Sequence, residues 1–190
     1  VLMGEINSAS ALTISQVAGR SKKLFMSIGA RSDVLRGKNC NRYTFHVDIP
    51  VTVMVNAAGQ ALLRDNLVKG KKVYSLTADY LFGHDLAKAA KNFYTANGGV
   101  QIGDELVATD VTDFSPYLLK IRQAKPDLVS TNLAGNQVTN FVKQYAEFGL
   151  PYPVAGFNLN TADAWAAGEG NLSGIWPTVW HHELQTPGSK

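Results

Sequence analysis

The stretch Val73–Tyr94, VYSLTADYLFGHDLAKAAKNFY, decides the fold class. It begins with the pattern of a buried strand, passes through a turn and continues with the pattern of a long helix. Turns from strand to helix often bind a nucleotide or carry catalytic groups. This turn contains a single glycine, and no lysine or arginine lies between Asp79 and Leu86. It therefore lacks the features of a phosphate-binding loop.

Strands and helices alternate on both sides of this stretch, which predicts parallel βαβ units. We predict strands at residues 1–6, 22–29, 42–47, 71–78, 100–108, 126–133, 153–158 and 172–180. We predict helices at residues 7–20, 50–67, 82–99, 113–125, 135–150 and 161–168. A charged stretch at Lys69-Gly70 marks a joint between two series of these units.

Two of the predicted helices show a clear apolar face at helical spacing. In the first helix this face contains Ala11, Ile14, Val17 and Ala18, and Ser8 is the expected N-cap residue. In the helix at 135–150 the face contains Val138, Phe141, Val142 and Tyr145. The aromatic residues at helical spacing, which include Phe93 and Tyr94, are expected in the core.

The composition is that of a soluble globular protein, because 45% of the 190 residues are hydrophobic and 17% are charged. The formal net charge is +3, and the basic residues form no stripe with aromatic residues between them, which argues against nucleic-acid binding. No apolar run is long enough to span a membrane. Cys40 is the only cysteine and the four histidines form no ligand set, so we expect neither a metal nor another cofactor.

Both ends of the sequence are expected to lie within a longer protein. Val1 starts within a predicted strand, and the chain finishes in the polar segment TPGSK. We therefore expect this sequence to be a fragment of a longer protein.

In open parallel sheets, ligands bind beyond the carboxyl ends of the strands. The residues in these places are hydroxyls, amides, small residues and two aromatics, as in a small-molecule pocket. They are Asn7–Ser10, Gly29, Ala30, Arg31, Asp79, Tyr80, Phe82, Leu133, Ala134, Gly135, Asn136, Asn158, Leu159 and Asn160.

Catalytic alternatives have little support. Neither a dinucleotide fingerprint, a P-loop nor a nucleophile elbow is present in the sequence. His84 and the pair Asp79 and Asp85 are more simply explained as polar residues of a helix N-terminus, where the dipole favours carboxylates. The three tryptophans Trp165, Trp176 and Trp180 are expected in core or hinge packing rather than in a site.

Four segments together resemble the type I periplasmic solute-binding proteins, and most closely those of branched-chain amino acid ABC transporters. They are VYSLTADYLFGHDLAKAAKNFY at 73–94, GKNCNRYTF at 37–45, DFSPYLLKIRQAKPDLV at 113–129 and VKQYAEFGLP at 142–151. The resemblance covers essentially the whole chain in order, and it is the series of segments rather than any one motif that is specific.

The resemblance implies an α/β fold of two doubly wound parallel-sheet lobes around a ligand cleft. Residues 1–68 would form the later part of the first lobe and residues 69–178 the second lobe. Residues 179–190 would form a hinge crossing and the start of the return to the first lobe, with the crossing near WPTVWHHE.

The resemblance also implies roles for three residues that match the family pattern. Ser8 matches a serine whose hydroxyl and amide bind the ligand carboxylate. Gly29 matches a position whose carbonyl accepts from the ligand ammonium, and Phe82 matches an aromatic residue that covers the ligand. The neighbours Ala9, Ala30, Tyr80 and Gly135 complete the predicted site.

Three positions depart from the family pattern. Arg31 falls where the family often has a threonine, Ala134 falls where amino-acid binders have a tyrosine, and Asn158 replaces an acidic residue that pairs with the ligand ammonium. These differences concern the ligand rather than the fold. They shift the expectation from branched-chain amino acids towards a small organic acid, including aromatic acids, unless Asp79 or Asp163 supplies the missing negative charge.

Three functions remain open at this level. The first is the solute-binding component of an ABC importer, periplasmic or lipid-anchored outside the cell, that delivers a small carboxylate-bearing ligand to a membrane permease. The second is the ligand-sensing domain of a receptor or transcriptional regulator on the same fold. The third and least supported is a hydrolase that uses Ser8 or His84; we expect no enzyme.

Overall fold

The computed structural model describes residues 1–168 and 170–177 of this chain. The strands are β1 (Leu2–Gly4), β2 (Phe25–Ser27), β3 (Thr44–His46), β4 (Lys72–Ala78), β5 (Val100–Val107), β6 (Leu128–Asn132) and β7 (Val154–Gly156). The helices are α1 (Ser8–Arg20), α2 (Val51–Arg64), α3 (Leu81–Ala96), α4 (Ser115–Ala124), α5 (Asn136–Phe148) and α6 (Thr161–Ala167), with a short 3-10 helix at Asp33–Leu35.

The elements follow the order predicted from the sequence, with two differences. The 3-10 helix at Asp33–Leu35 lies where no element was predicted, and the last predicted strand is largely missing from the described residues. Of the strand predicted at 172–180, the described part contributes a single parallel bridge from Ile175 to Ala155. Trp180 and the predicted crossing segment at 179–190 lie outside the described residues.

The first sheet is parallel and has the strand order β1-β2-β3, with Phe25 paired to Leu2 on one side and to Thr44 on the other. Helix α1 covers one face of this sheet, and its buried stripe consists of Ser8, Ala11, Ser15 and Ala18. These small side chains let the helix lie close to the strands.

Two details of α1 predicted from the sequence are wrong. Val17 is 52% exposed, because the buried stripe is set by small residues and leaves Val17 beside it. Ser8 is the first helical residue rather than the N-cap. The cap is Asn7, whose Oδ1 accepts hydrogen bonds from the backbone N–H groups of Ala9 and Ser10 at 2.9 and 3.1 Å.

The second sheet is also parallel and has the strand order β5-β4-β6-β7. The chain runs from β4 outward to β5 and then returns to the other side of β4 to form β6, so the switch point lies between β4 and β6. Helices α2 and α3 pack on one face of this sheet, while α4 and α5 pack on the other. This arrangement confirms the predicted α/β fold with a doubly wound sheet.

Helix α2 belongs to the core of the second sheet. Its buried residues Val51, Met54 and Leu62 pack in one cluster with Leu86 of α3 and Phe157 after β7. This packing favours a boundary between β3 and α2. The division at residue 68 stays a prediction.

Among the described residues, the aromatic residues predicted in the core pack there, apart from Trp165. Tyr94, Phe141 and Tyr145 are buried, and Phe93 packs against the same core as Tyr94. Trp165 is 81% exposed on the short helix α6, so the expectation that it packs in a core or hinge is wrong. Ala167 is the one buried residue of this short helix, and Trp165 lies on its solvent-facing side.

Candidate ligand-binding cleft

A cavity of about 790 Å³ lies between the carboxyl ends of the two sheets. Its volume falls within the usual range for small-molecule sites. The wall from the first sheet and its connections consists of Glu5, Ile6, Asn7, Ile28, Gly29, Arg31 and Asp48. The wall from the second sheet consists of Tyr80, Phe82, Thr109, Ala134, Gly135, Gln137, Asn158 and Asn160.

Two aromatic residues form the apolar side of the cleft. The rings of Tyr80 and Phe82 lie 6.0 Å apart at an interplanar angle of 36°, just after the end of β4. Phe82 is anchored in the core and Tyr80 is half-buried. Burial raises the pKa of the Tyr80 hydroxyl, which is therefore protonated at neutral pH and able to donate to a ligand.

The second lobe points two helix N-termini at the cleft. Helix α3 has Tyr80 at its N-cap position and helix α5 has Gly135, and neither receives a side-chain cap. The first N–H groups of a helix lack the usual i−4 partner, and the helix dipole favours negative charge there. At α5 the N–H groups of Gln137 and Val138 donate to the carbonyls of Ala134 and Gly135 at 3.2 and 3.0 Å, so the N–H of Asn136 is the donor that remains at that end within the described residues. The second lobe thus offers backbone donors to an anion.

The first lobe differs, because its helix N-terminus is already occupied. Asn7 caps α1, and the Oγ of the fully buried Ser8 accepts a hydrogen bond from the backbone N–H of Ser32 at 3.3 Å. Ser8 therefore faces the inside of the lobe. At this helix N-terminus it is Asn7, and not Ser8, that lines the cleft.

Arg31 is the polar centre of the cleft. Its Nε donates to Oδ2 of Asp48 at 2.6 Å, and its Nη1 donates to Oδ1 of Asn158 at 3.0 Å. The side chains of Arg31 and Asp48 are 19% and 18% exposed, so the ion pair is largely removed from water. Because Asn158 follows β7 and Arg31 follows β2, this chain of contacts joins the two lobes.

A second contact between the lobes lies beside the first. Asp85, the fifth residue of α3, accepts hydrogen bonds from the hydroxyl of Ser32 and from the backbone N–H of Val34. These residues belong to the start of the 3-10 helix in the first lobe. Burial raises the pKa of the neighbouring Asp33, and the negative charge of Asp85 raises it further.

The sequence profile of the family described as "Periplasmic binding protein" matches residues 1–190. This chain belongs to the periplasmic binding protein family. The resemblance found in the sequence is thereby confirmed, and it accounts for two parallel-sheet lobes with a cleft between them. The members to which the chain is similar are solute-binding proteins and not enzymes.

Individual relatives within the periplasmic binding protein family share about a third or less of the sequence. A Leu/Ile/Val-binding protein homolog 4 of Brucella abortus is 28% identical over 159 residues, which is 78% of this chain and 37% of that protein. A periplasmic binding protein of Burkholderia mallei has a TM-score of 0.83 and 32% identity, covering 90% of this chain and 45% of its own.

A third relative has a bound ligand. The solute-binding protein of an ABC transporter from Rhodopseudomonas palustris BisB5, in complex with 3,4-dihydroxybenzoic acid, has a TM-score of 0.72 and 28% identity. The match covers 82% of this chain and 42% of that one. The present chain therefore spans less than half the length of these periplasmic binding proteins.

The structure brings most of the predicted site residues to the cleft. Seven of the ten line it, namely Gly29, Arg31, Tyr80, Phe82, Ala134, Gly135 and Asn158. Ser8, Ala9 and Ala30 are not among the lining residues, because Ser8 and Ala30 are buried within the first lobe and Ala9 is exposed on α1. Contact of the seven with a ligand stays a prediction.

Several lining residues were missed in the sequence. Asp48 follows β3 and Thr109 follows β5, so the same strand-end rule that located Tyr80 would have found both. Glu5 and Ile6 were missed because β1 ends at Gly4, two residues earlier than predicted. Gln137 is reached only because helix α5 begins at the cleft.

The residues considered as a catalytic base or as a charge partner for a ligand ammonium interact with other side chains of the protein. His84 is exposed and its Nε2 lies 2.9 Å from Oδ1 of Asp79, while Asp163 accepts from the Nδ2 of Asn160 at 2.6 Å. Neither Asp79 nor Asp163 is among the residues that line the cleft. Glu5 and Asp48 are the carboxylates found there.

No helix in the described part of the chain is both long enough and apolar enough to cross a membrane.

Proposed function

We propose that this chain is part of the solute-binding component of an ABC importer. Its cleft would bind a small carboxylate-bearing solute between the two lobes, and the protein would deliver that solute to a membrane permease. The protein would work in the periplasm or, lipid-anchored, outside the cell. Membership of the periplasmic binding protein family and the cleft at the strand ends support this proposal.

For the ligand, we propose a small organic acid, with aromatic acids preferred over leucine, isoleucine and valine. The observation that carries this proposal is the side chain of Arg31 within the cleft, bonded to Asn158. In the amino-acid binders that the sequence resembles, an acidic side chain occupies the position of Asn158 and pairs with the ligand ammonium. Here that position is uncharged, and a guanidinium already donates to it.

The energetic consequence for an amino acid is large. A buried ammonium without a carboxylate partner costs several kcal/mol, which corresponds to roughly a thousandfold in affinity. An arginine N–H that remains free can instead donate a charge-assisted hydrogen bond to a ligand carboxylate. The uncapped N-termini of α3 and α5 add further donors of the same polarity.

The apolar part of the cleft suits a ring. Tyr80 and Phe82 provide an aromatic wall, and Ala134 leaves open the space that a tyrosine fills in amino-acid binders. The relative from Rhodopseudomonas palustris BisB5, which was solved with 3,4-dihydroxybenzoic acid, supports this choice of ligand class.

One observation favours a branched-chain amino acid instead. Glu5 lines the cleft, and its Oε1 accepts from the backbone N–H groups of Ile6 and Asn7 at 3.0 and 2.7 Å. Its carboxylate could face a ligand ammonium from the first lobe. The similarity to Leu/Ile/Val-binding protein homologs agrees with this alternative.

Calorimetry on the full two-lobed protein decides between these ligands. Each amino acid is tested beside the acid of the same skeleton without the amino group, for example leucine beside 4-methylpentanoate, and benzoate and 3,4-dihydroxybenzoate complete the panel. We expect the acids to bind and the amino acids to bind at least about a hundredfold more weakly.

Substitution of the arginine tests the mechanism. Arg31→Met keeps most of the side-chain volume and is expected to weaken acid binding by about tenfold or more, because a charge-assisted hydrogen bond is lost. Arg64→Met is the control, since Arg64 is the exposed last residue of α2 and, among the described residues, pairs only with the adjacent Asp65. Tight leucine binding with no response to the acids would show that the ligand class is wrong.

A further inference from the structure

We propose that Asp48 is a positioning residue of the cleft. Its carboxylate holds the guanidinium of Arg31 so that one side chain both ties the two lobes together and presents a donor to the ligand carboxylate. The part of this inference that concerns the ligand rests on the proposed function. The tie between the lobes does not, because its atoms all belong to the protein.

Asp48 is itself fixed at three points. Its Oδ2 accepts from Nε of Arg31 at 2.6 Å, its Oδ1 accepts from the backbone N–H of Ile49 at 2.7 Å, and its main-chain carbonyl accepts from Nη2 of Arg36 at 2.6 Å. Apart from Arg31, the Ile49 N–H holds the carboxylate and Arg36 holds the main chain, so Asp48 has anchors that do not depend on the arginine it binds. It therefore selects one orientation of the Arg31 guanidinium.

That orientation directs Nη1 of Arg31 across the cleft. Nη1 donates to Oδ1 of Asn158 at 3.0 Å, and Asn158 is held in turn by a hydrogen bond from its Nδ2 to the carbonyl of Leu133 at 3.4 Å. The tie thus runs from the connection after β3, through Arg31, to the ends of β6 and β7.

The same orientation leaves Nη2 of Arg31 as a donor. Within the described residues Nη2 makes no hydrogen bond, whereas Nε and Nη1 each have one acceptor. Arg31 lines the cleft beside Gly29 and Tyr80. A ligand carboxylate that accepts from Nη2 would therefore leave the hydrogen bonds of Arg31 to Asp48 and Asn158 intact.

The charges around Asp48 are consistent with this role. Arg31 and Arg36 approach it from two sides, and Glu5 is the other carboxylate that lines the cleft. Without the charge of Asp48, the Arg31 guanidinium would lose its ionic partner in a site that is mostly closed to water. We expect it then to turn away from Asn158.

The first measurement uses the full two-lobed protein without ligand. A pair of spin labels, one on an exposed residue of each lobe, reports the distance between the lobes. We expect Asp48→Asn and Asn158→Ala each to shift the distance distribution to longer values, and Asp48→Glu to restore part of the shorter population. Glu147→Gln, an exposed charge removal on α5, is the control. Unchanged distributions in Asp48→Asn and Asn158→Ala would overturn the inference.

The second measurement is a double-mutant cycle with 3,4-dihydroxybenzoate as the probe. We expect Asp48→Asn to weaken binding by about tenfold, and Asp48→Asn combined with Arg31→Met to be no weaker than Arg31→Met alone. A merely structural role predicts additive losses, and additive losses would count against the inference. If the probe does not bind to the unaltered protein, the proposed ligand class fails, and the ligand-free distances alone decide on Asp48.

Discussion

At the scale of the residue, Gly135 shows how the backbone shapes the cleft. It precedes helix α5 with φ of 55° and ψ of −134°, a combination that side chains with a Cβ rarely adopt. Free space surrounds the position where a Cβ would lie, so the constraint is conformational rather than steric. The cleft wall between Ala134 and Gln137 depends on this turn.

We predict that Gly135→Ala lowers the free energy of unfolding by about 1–3 kcal/mol. Denaturant unfolding of the variant provides the measurement. Asn136→Ala, one residue further along and exposed at the start of the helix, is the control and should change the stability much less. Equal stability of Gly135→Ala and the unaltered protein would mean that this turn relaxes without cost.

Tyr74 gives a prediction for alkaline pH. Burial, and then its hydrogen bond of 3.0 Å to Oε1 of Glu105, raise the pKa of this hydroxyl to about 12. An unfolded chain ionises tyrosine at about pH 10. The unfolded state therefore loses this proton first, and the contribution of Tyr74 to stability is complete below pH 10 and disappears as pH rises to about 12.

Tyr74→Phe removes this titration. We expect the free energy of unfolding of the variant to fall less steeply between pH 10 and 12 than that of the unaltered protein, as followed by urea unfolding at fixed pH values. Tyr43→Phe serves for comparison, since the Tyr43 hydroxyl makes no hydrogen bond within the described residues. Identical slopes for Tyr74→Phe and the unaltered protein would contradict the assignment.

At the scale of the element, the joint between β4 and α3 is set by close approach. A Cβ on Gly83 would clash with the carbonyl oxygen of Ala78, which is the last residue of β4. The first turn of α3 thus packs directly against the end of β4, the strand that precedes it. This contact holds Tyr80 and Phe82 at the cleft.

Gly83→Ala is expected to be strongly destabilising, by about 3 kcal/mol or more, because backbone rather than a flexible side chain must move. Thermal or denaturant unfolding measures the loss. Gly37→Ala is the matched control, since a Cβ there meets only an ordinary contact of 3.5 Å with the carbonyl oxygen of Asp33. A small effect at Gly83 would show that α3 can shift away from β4.

At the scale of the whole molecule, the first sheet exposes apolar residues on the face opposite α1. Met3 and Phe45 share this face through the register with Met26, and they are 73% and 50% exposed. In the described residues β1 and β3 each pair only with β2, so both edges of the sheet are open. Open edges beside an apolar face recruit other chains.

We therefore predict that the 190-residue chain, expressed by itself, associates at micromolar concentration. Sedimentation velocity over a range of concentrations tests this, and the double variant with Met3→Lys and Phe45→Lys should reduce the association. A compact monomer at high concentration would contradict the prediction.

Much of the fold could be predicted because it depends on local periodicity. The alternation of strand and helix patterns located all seven strands and all six α-helices of the described residues, but not the 3-10 helix at Asp33–Leu35. The stripe Val138, Phe141, Val142 and Tyr145 on α5 is buried as expected. The stripe on α1 was misjudged at Val17, because small residues rather than the most apolar ones face the first sheet. Hydrophobicity alone does not show how closely two elements approach.

The sequence by itself determined the family, through a series of segments along the chain. It also determined the parallel sheets and the strand ends at which the cleft forms, since these follow from patterns within short stretches. Only the tertiary structure decided which polar groups of the cleft are already used. The hydroxyl of Ser8 accepts a hydrogen bond from the backbone N–H of Ser32. The guanidinium of Arg31 donates to both Asp48 and Asn158, and Asn158 lies 127 residues further along the chain. The physical reason is that hydrogen bonds form between groups that are close in the folded molecule, and the separation of two residues along the chain does not predict how close they are in space.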